Sequence, residues 1–210
     1  MQKTWIKICG ITRAQDATAA AELGADAIGV VLYPKSPRAV RVDDLASIVA
    51  GLPKHIVVVA LFVDPEPDFV RRVLDTAAVD LLQFHGSESA DFCEQFETPY
   101  MKALAVRSDS DLRLALAPYD SARYILLDSY DPILPGGTGK TFDWSRLEEL
   151  SEWQQSRLVL AGGLQPGNVT AAIETVHPFG VDVSSGVEAS KGIKDHLKMK
   201  SFIQGVRASG

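Results

Sequence analysis

The strongest constraint on this chain is a rhythm: short runs of continuous apolar, often β-branched residues alternate eight times with charged, amphipathic segments, at about 25 residues per unit. The runs are Trp5–Ile8, Ala27–Leu32, Ile56–Phe62, Leu81–Phe84, Met101–Ala105, Tyr124–Leu127, Leu158–Leu160 and Val181–Val183. Their unbroken hydrophobicity is that of strands covered on both faces, as in parallel sheets flanked by helices. Between them, Arg13–Leu23, Asp43–Ala50, Pro67–Ala77, Ala90–Phe96, Asp109–Leu116, Trp144–Leu150, Pro166–Thr175 and Asp195–Val206 read as helices, several opened by a capping residue or an N1 proline. A doubly wound open sheet explains the alternation as well. Eight units, without an extra helical domain or a compositional break marking a linker, favour closure into a single-domain (β/α)8 TIM barrel over residues 1–210.

Charge and cysteine content narrow the class of function. The formal net charge of −6, with no long run of Lys or Arg, argues against nucleic acid or an anionic membrane surface as a partner. No apolar run approaches the roughly 20 residues of a membrane-spanning helix. Cys9 and Cys93 allow at most one disulfide, and no signal-peptide pattern precedes the first strand, so a reduced cytoplasm is expected.

In such a barrel the chemistry sits where strands end and the following loops begin. That face carries Cys9, the loop Tyr33–Arg38, Asp64, Gln83 with His85, Asp128, Gly162–Gly163 and Ser184–Gly186. Cys9 can act there as base or nucleophile, and Asp128, which closes Tyr124–Leu127 as Cys9 closes the first strand, is its best candidate partner. The turns after strands seven and eight, Gly162-Gly163 and Ser184-Ser185-Gly186, combine side-chain-poor backbone with hydroxyls, so amide N–H groups converge there. This is the position of the phosphate site in many barrels of this type, and a short extra helix is expected from Gly186 to Ser190.

The segments KICGIT, YPKSPR, LLQFHG, YILLDS, PGGTGKTFDW, LAGGLQPGNV and GVDVSSGVE, in this order from residue 7 to residue 188, resemble the signature motifs of the phosphoribosylanthranilate isomerase family of tryptophan biosynthesis. The resemblance implies a cofactor-free Amadori rearrangement of phosphoribosylanthranilate by a cytoplasmic monomer or homodimer. It also implies that the general base lies at Cys9 and the general acid at Asp128. Arg38 is then the candidate for the anthranilate carboxylate, because a guanidinium makes a bidentate, permanently charged pair. His85 and Gln83 either contact substrate or order the rim. Asp182 either contacts ribose hydroxyls or orients a neighbouring loop. Three positions depart from the family's usual pattern: Phe84 replaces leucine, Ser129 replaces threonine, and Ala39 stands where an aromatic is frequent.

The chemistry needs one acid and one base. A proton goes to the furanose oxygen as the anilino nitrogen opens the ring to a Schiff base, and a base then takes the proton from ribose C2. No clustered His and Cys set at zinc spacing is present, and no metal is expected. The reacting pair is neutral Asp128 with Cys9 thiolate, the reverse of the order set by ordinary values near 3.9 and 8.5, an inversion of roughly 6 kcal/mol. The expectation is that helix-one amides and Lys7 favour the thiolate; Lys7 alternatively points into the barrel or serves a structural pair.

The loop Ser129–Thr141 carries Gly136-Gly137-Thr138-Gly139-Lys140-Thr141, superficially a P-loop. Leu134 stands where that pattern needs its first glycine, so the spacing fails. A lid is the better reading, with Lys140 approaching the substrate. Two other barrel chemistries fit less well. An epimerase-like enzyme needs metal-binding His and Asp at several strand ends, and the histidine-pathway isomerase has an aspartate where this chain has Cys9. A phosphosugar-binding sensor retains Arg38 and the turns but has no need of both Cys9 and Asp128. Cys93, mid-helix, is a packing residue.

Overall fold

The computed structural model describes residues 3–105, 111–128 and 155–209. Eight parallel strands, β1 (Trp5–Cys9), β2 (Ala27–Val31), β3 (Val57–Phe62), β4 (Leu81–Phe84), β5 (Tyr100–Ala105), β6 (Tyr124–Asp128), β7 (Leu158–Ala161) and β8 (Gly180–Val183), pair in sequence order. β1 bonds to both β2 and β8, which closes the barrel and removes every sheet edge. Helices α1 (Ala14–Leu23), α2 (Val42–Val49), α3 (Pro67–Thr76), α4 (Ala90–Glu94), α5 (Leu112–Leu116), α6 (Val169–Val176) and α7 (His196–Ala208) connect the strands. The helix expected over Trp144–Leu150 lies outside the described residues.

Where helices start late, a side chain explains it. Asp111 accepts from the backbone N–H groups of Arg113 and Leu114, so α5 opens at Leu112 rather than at Asp109. Asn168 accepts from Gln165 N at 2.8 Å and donates to the Gly163 carbonyl at 3.0 Å, which holds Pro166 in the preceding turn and delays α6 to Val169. Three short elements after β8 escape the rhythm altogether. Ser185–Val187 is one 3-10 turn, and β9 (Glu188–Ser190) pairs antiparallel with β10 (Ile193–Lys194), so the extra helix expected over Gly186–Ser190 is a single turn running into a hairpin.

Each strand faces two apolar layers, which is why its sequence does not alternate. Outward residues such as Ile8, Val30, Phe62 and Leu127 pack against Ala17, Leu45, Val70 and Phe202 from the helices. Each such side chain, at full burial, contributes roughly 1.5–3 kcal/mol. Phe84 belongs to this layer and sits among Phe62, Phe92 and Phe96 with ring centroids 5.7–6.0 Å apart, so the replacement of leucine there is absorbed on the outward side of β4, against the helices. Inside, Trp5, Tyr124 and Phe179 stack across the strand starts at 4.9–6.0 Å and plug the barrel floor, with Val59, Met101, Leu126 and Val159 above them. Gly180 makes room for this plug: a Cβ there would stand 2.9 Å from the Trp5 carbonyl oxygen.

The barrel–helix layer also holds a buried ion pair. Lys102 Nζ donates to Glu88 Oε2 at 2.8 Å and to the Gly86 carbonyl at 2.6 Å, with side chains 1% and 2% exposed. Glu88 in turn accepts from the N–H groups of Asp64 and Gly86, and Asp64 Oδ1 from Ser87 N, which fixes the loop after β4. Glu88→Ala leaves a buried ammonium without its counter-charge and two backbone N–H groups without their acceptor, and is expected to cost about 3–5 kcal/mol. The check is chemical denaturation at neutral pH; a loss under ~1 kcal/mol, the size of an exposed pair, would refute it.

Candidate active site

Strand register decides which side chains meet at the mouth, because residues paired across neighbouring strands point to the same face. Lys7 pairs with Asp182, and Cys9 with Gly29. Lys7 Nζ donates to Asp182 Oδ1 at 2.9 Å with its side chain fully buried. Gly29 is what lets Lys7 and Cys9 approach each other: a Cβ there would stand 2.9 Å from Cys9 Sγ and 3.0 Å from Lys7 Nζ. The Asp182 carboxylate is thus engaged by Lys7, in line with a bracing role, and lies at the mouth beside Cys9.

Cys9 is 5% exposed. Burial pushes its thiol above the ordinary value; Lys7, followed by Lys194, pulls it down, while Asp182 adds to the rise. Lys7 therefore acts in the expected direction, but loss of solvent outweighs it. Helix α1 begins at Ala14, five residues beyond Cys9. Lys7 itself is drawn down by burial and raised more strongly by Asp182 and Cys9, so it stays charged.

Asp128 ends β6, three strand neighbours from β1 around the barrel. Its side chain is about a quarter exposed, and Oδ2 lies 3.6 Å from His85 Nε2. Gln83, fully buried on β4, places its Nε2 3.1 Å from His85 Nδ1. With that amide donating, the ring carries its own proton on Nε2 and turns that N–H toward Asp128. The Gln83 carbonyl oxygen meets no donor among the described residues.

Arg38 lies on the loop after β2, where Ser36 Oγ accepts from its backbone N–H and Ala39 bridges to Val31. Its guanidinium binds Glu188 through Nε at 2.6 Å and Nη2 at 2.7 Å. Gly10, at φ +74°, is required here: a Cβ would stand 2.5 Å from Arg38 Cδ and 2.9 Å from Ser184 Oγ. The residue after Cys9 thus seats the arginine on strand one. The Glu188 bond is the main cause that raises the guanidinium above its ordinary value. Glu188 is pushed up by burial, yet Arg38 and Lys194 hold it below the ordinary carboxylate range.

Gly162 (φ +87°) and Gly163 (φ +64°) turn the chain after β7, and Gly186 packs its Cα directly against the Leu164 carbonyl with no room for a side chain. The two turns are thereby locked backbone to backbone, with Ser184 half-buried and Ser185 exposed beside them. The Ser184 carbonyl accepts from Lys194 Nζ at 3.0 Å, which adds a cation to this side of the mouth. Lys140 and Ser129, with the expected lid, lie outside the described residues. Cys93 is fully buried in α4, and burial pushes it up to about 12, as befits a packing thiol. Among the described residues, no three His, Cys, Asp or Glu side chains converge to hold a metal ion. No helix among them is long and apolar enough to cross a membrane.

Sequence reasoning overlooked Glu188, Lys194 and Asn168 as functional positions. Glu188 and Asn168 are visible only as members of longer segments, and nothing in the local sequence says that Lys194 folds back onto residue 188. The barrel mouth offers a buried thiol beside an ammonium, a carboxyl beside an imidazole, a clamped guanidinium and two locked glycine turns. Such a set can move protons on a doubly anionic sugar phosphate.

Comparison with known proteins places these residues in context. The family model described as N-(5'phosphoribosyl)anthranilate (PRA) isomerase matches residues 6–205. The N-(5'-phosphoribosyl)anthranilate isomerase of Pseudomonas fluorescens SBW25 is 53% identical over 204 residues, 97% of this chain and 95% of the relative. The crystal structure of phosphoribosyl anthranilate isomerase from Thermotoga maritima superposes with a TM-score of 0.88 at 41% identity, covering 98% of this chain and 99% of that one. A structure of such an isomerase in complex with reduced 1-(o-carboxyphenylamino)-1-deoxyribulose 5-phosphate aligns with a TM-score of 0.85 at 39% identity, with the same coverage.

Proposed function

The chain belongs to the N-(5'-phosphoribosyl)anthranilate isomerase family, and from that premise we propose that Cys9 is the base and Asp128 the acid of its aldose–ketose isomerisation in tryptophan biosynthesis. The observation that carries this reading is the placement of a buried thiol and a partly exposed carboxyl at the C-terminal ends of β1 and β6, on the inner face of one mouth. Asp128 donates its proton to the furanose oxygen while the anilino lone pair forms the C1=N bond and the C1–O bond breaks. Cys9 then takes the C2 proton, and the electron pair of that C–H bond moves to give the enolamine. Protonation at C1 and loss of the C2 hydroxyl proton complete the ketose.

The other groups serve these two steps. Lys7, held by Asp182, offers its ammonium to the sulfur as charge develops there. His85 directs Nε2–H at Asp128, with Gln83 orienting the ring. Arg38 receives the anthranilate carboxylate, and the backbone of Gly162, Gly163, Ser184, Ser185 and Gly186 receives the phosphate. Lys140 is assigned to the substrate on sequence grounds alone. The setting is the cytoplasm, where Cys9 stays reduced.

A pH profile tests the protonation state. The reacting form carries one proton shared between Asp128 and Cys9, so kcat/KM is flat between the two macroscopic values and falls when that last proton leaves. Because burial raises the thiol, the alkaline limb is expected above the ordinary thiol value of about 8.5, and Cys9→Ser is expected to move it. A limb at or below that value, unmoved in Cys9→Ser, would contradict the pairing.

A further inference from the structure

Glu188 and Lys194 have no part in the steps above, yet both are buried beneath the mouth. Glu188 Oε1 accepts from Arg38 Nε at 2.6 Å, Lys194 Nζ at 3.1 Å and Gly192 N at 3.3 Å, while Oε2 accepts from Arg38 Nη2 at 2.7 Å. Lys198 Nζ donates to the Glu188 carbonyl at 2.9 Å. The hairpin of β9 and β10 places Lys194 directly opposite Glu188. We propose that Glu188, backed by Lys194, is a positioning residue that orients Arg38 and so sets the enzyme's preference for an aryl group bearing a carboxylate.

Three observations support a clamp rather than a competing internal anion. Glu188 takes the side-on edge of the guanidinium, Nε and Nη2, and leaves the Nη1 end, which meets no acceptor among the described residues. That end remains available to a second carboxylate while the first stays bound. The Glu188 side chain is 6% exposed against 22% for Arg38, so the clamp lies below and the fork above. Lys194 and Gly192 hold the same carboxylate from its own hairpin, which prevents it from swinging out to follow the arginine. Arg38 and Lys194 share the one Glu188 carboxylate, so the side-chain cluster stays net positive, as suits a substrate carboxylate. Arg38 gives Glu188 its two shortest bonds, 2.6 and 2.7 Å against 3.1 Å for Lys194.

The inference rests on the reading that Arg38 receives the anthranilate carboxylate, and one experiment separates the two. kcat/KM is measured for phosphoribosylanthranilate and for the decarboxylated analogue N-(5-phosphoribosyl)aniline, and their ratio is compared among wild type, Arg38→Ala, Glu188→Gln and Glu188→Asp. The ratio is independent of the amount of folded enzyme, and a hairpin that only stabilised the fold would lower both values alike. Arg38→Ala and Glu188→Gln are each expected to lower the ratio by about tenfold or more, chiefly through KM of the carboxylated substrate, with Glu188→Asp recovering part. An unchanged ratio in Arg38→Ala refutes the carboxylate reading itself. A fall in Arg38→Ala with an unchanged or raised ratio in Glu188→Gln overturns the clamp alone. Should Glu188→Gln fail to fold, Lys194→Met is read by the same ratio, with a smaller fall expected and no fall overturning the proposal.

Discussion

Asp128→Asn is expected to lower kcat by about 10²- to 10⁴-fold, the usual contribution of a positioned general acid, with KM changed little. Asparagine keeps the size and the polar contacts of the side chain but has no proton to give to the furanose oxygen. Ring opening then depends on water or on His85, whose Nε2 lies 3.6 Å from Asp128 Oδ2. The imidazole thus sets the size of the residue left in this variant, and adding His85→Ala to Asp128→Asn should lower it further. Steady-state kinetics on both variants check this; a kcat for Asp128→Asn within twofold of wild type would exclude the carboxyl as the acid.

Cys9→Ala is expected to reduce kcat by a similar factor of about 10² to 10⁴. The loss has a different origin, because no other base stands at the end of β1: Lys7 is charged and bound to Asp182. Alanine also leaves a small apolar space beside Gly29, so the fold is expected to be retained and circular dichroism should match wild type. Cys9→Ser keeps a hydroxyl of far higher pKa and should be nearly as inactive, which separates the need for a thiolate from the need for a polar atom.

The barrel was legible because its signal is global. Eight apolar runs at regular spacing survive errors of one or two residues at any boundary, and the shifts at Leu112 and Val169 trace to single side chains, the cap made by Asp111 and the bonds of Asn168 to the preceding turn, that compete with the helical pattern. Cys9, Asp128, Gln83 and His85 were legible for the same reason: a polar residue that closes an apolar strand is placed by the fold before any contact is known. The locked turns were readable in glycine content, although the 3-10 turn and hairpin after them were not, since three-residue strands carry no periodicity.

What escaped the sequence depends on pairing across long separations. Glu188 and Arg38 are 150 positions apart, and Lys7 and Asp182 are 175 apart. Only the closed register brings them together. The balance at Cys9 is only half legible for a related reason: the lysine neighbour is visible in the sequence at position 7, whereas the loss of solvent around the sulfur is a property of the assembled mouth.

The division of labour between sulfur and carboxyl is the central claim, and the deuterium isotope effect on kcat/KM for substrate labelled at ribose C2 tests it most directly. In Cys9→Ala, C2–H cleavage becomes the slow step and the isotope effect should be expressed in full; in Asp128→Asn, ring opening precedes and limits it, and the effect should approach unity. The reverse pattern, or full wild-type turnover in both variants, would contradict the assignment of Cys9 as the base and Asp128 as the acid.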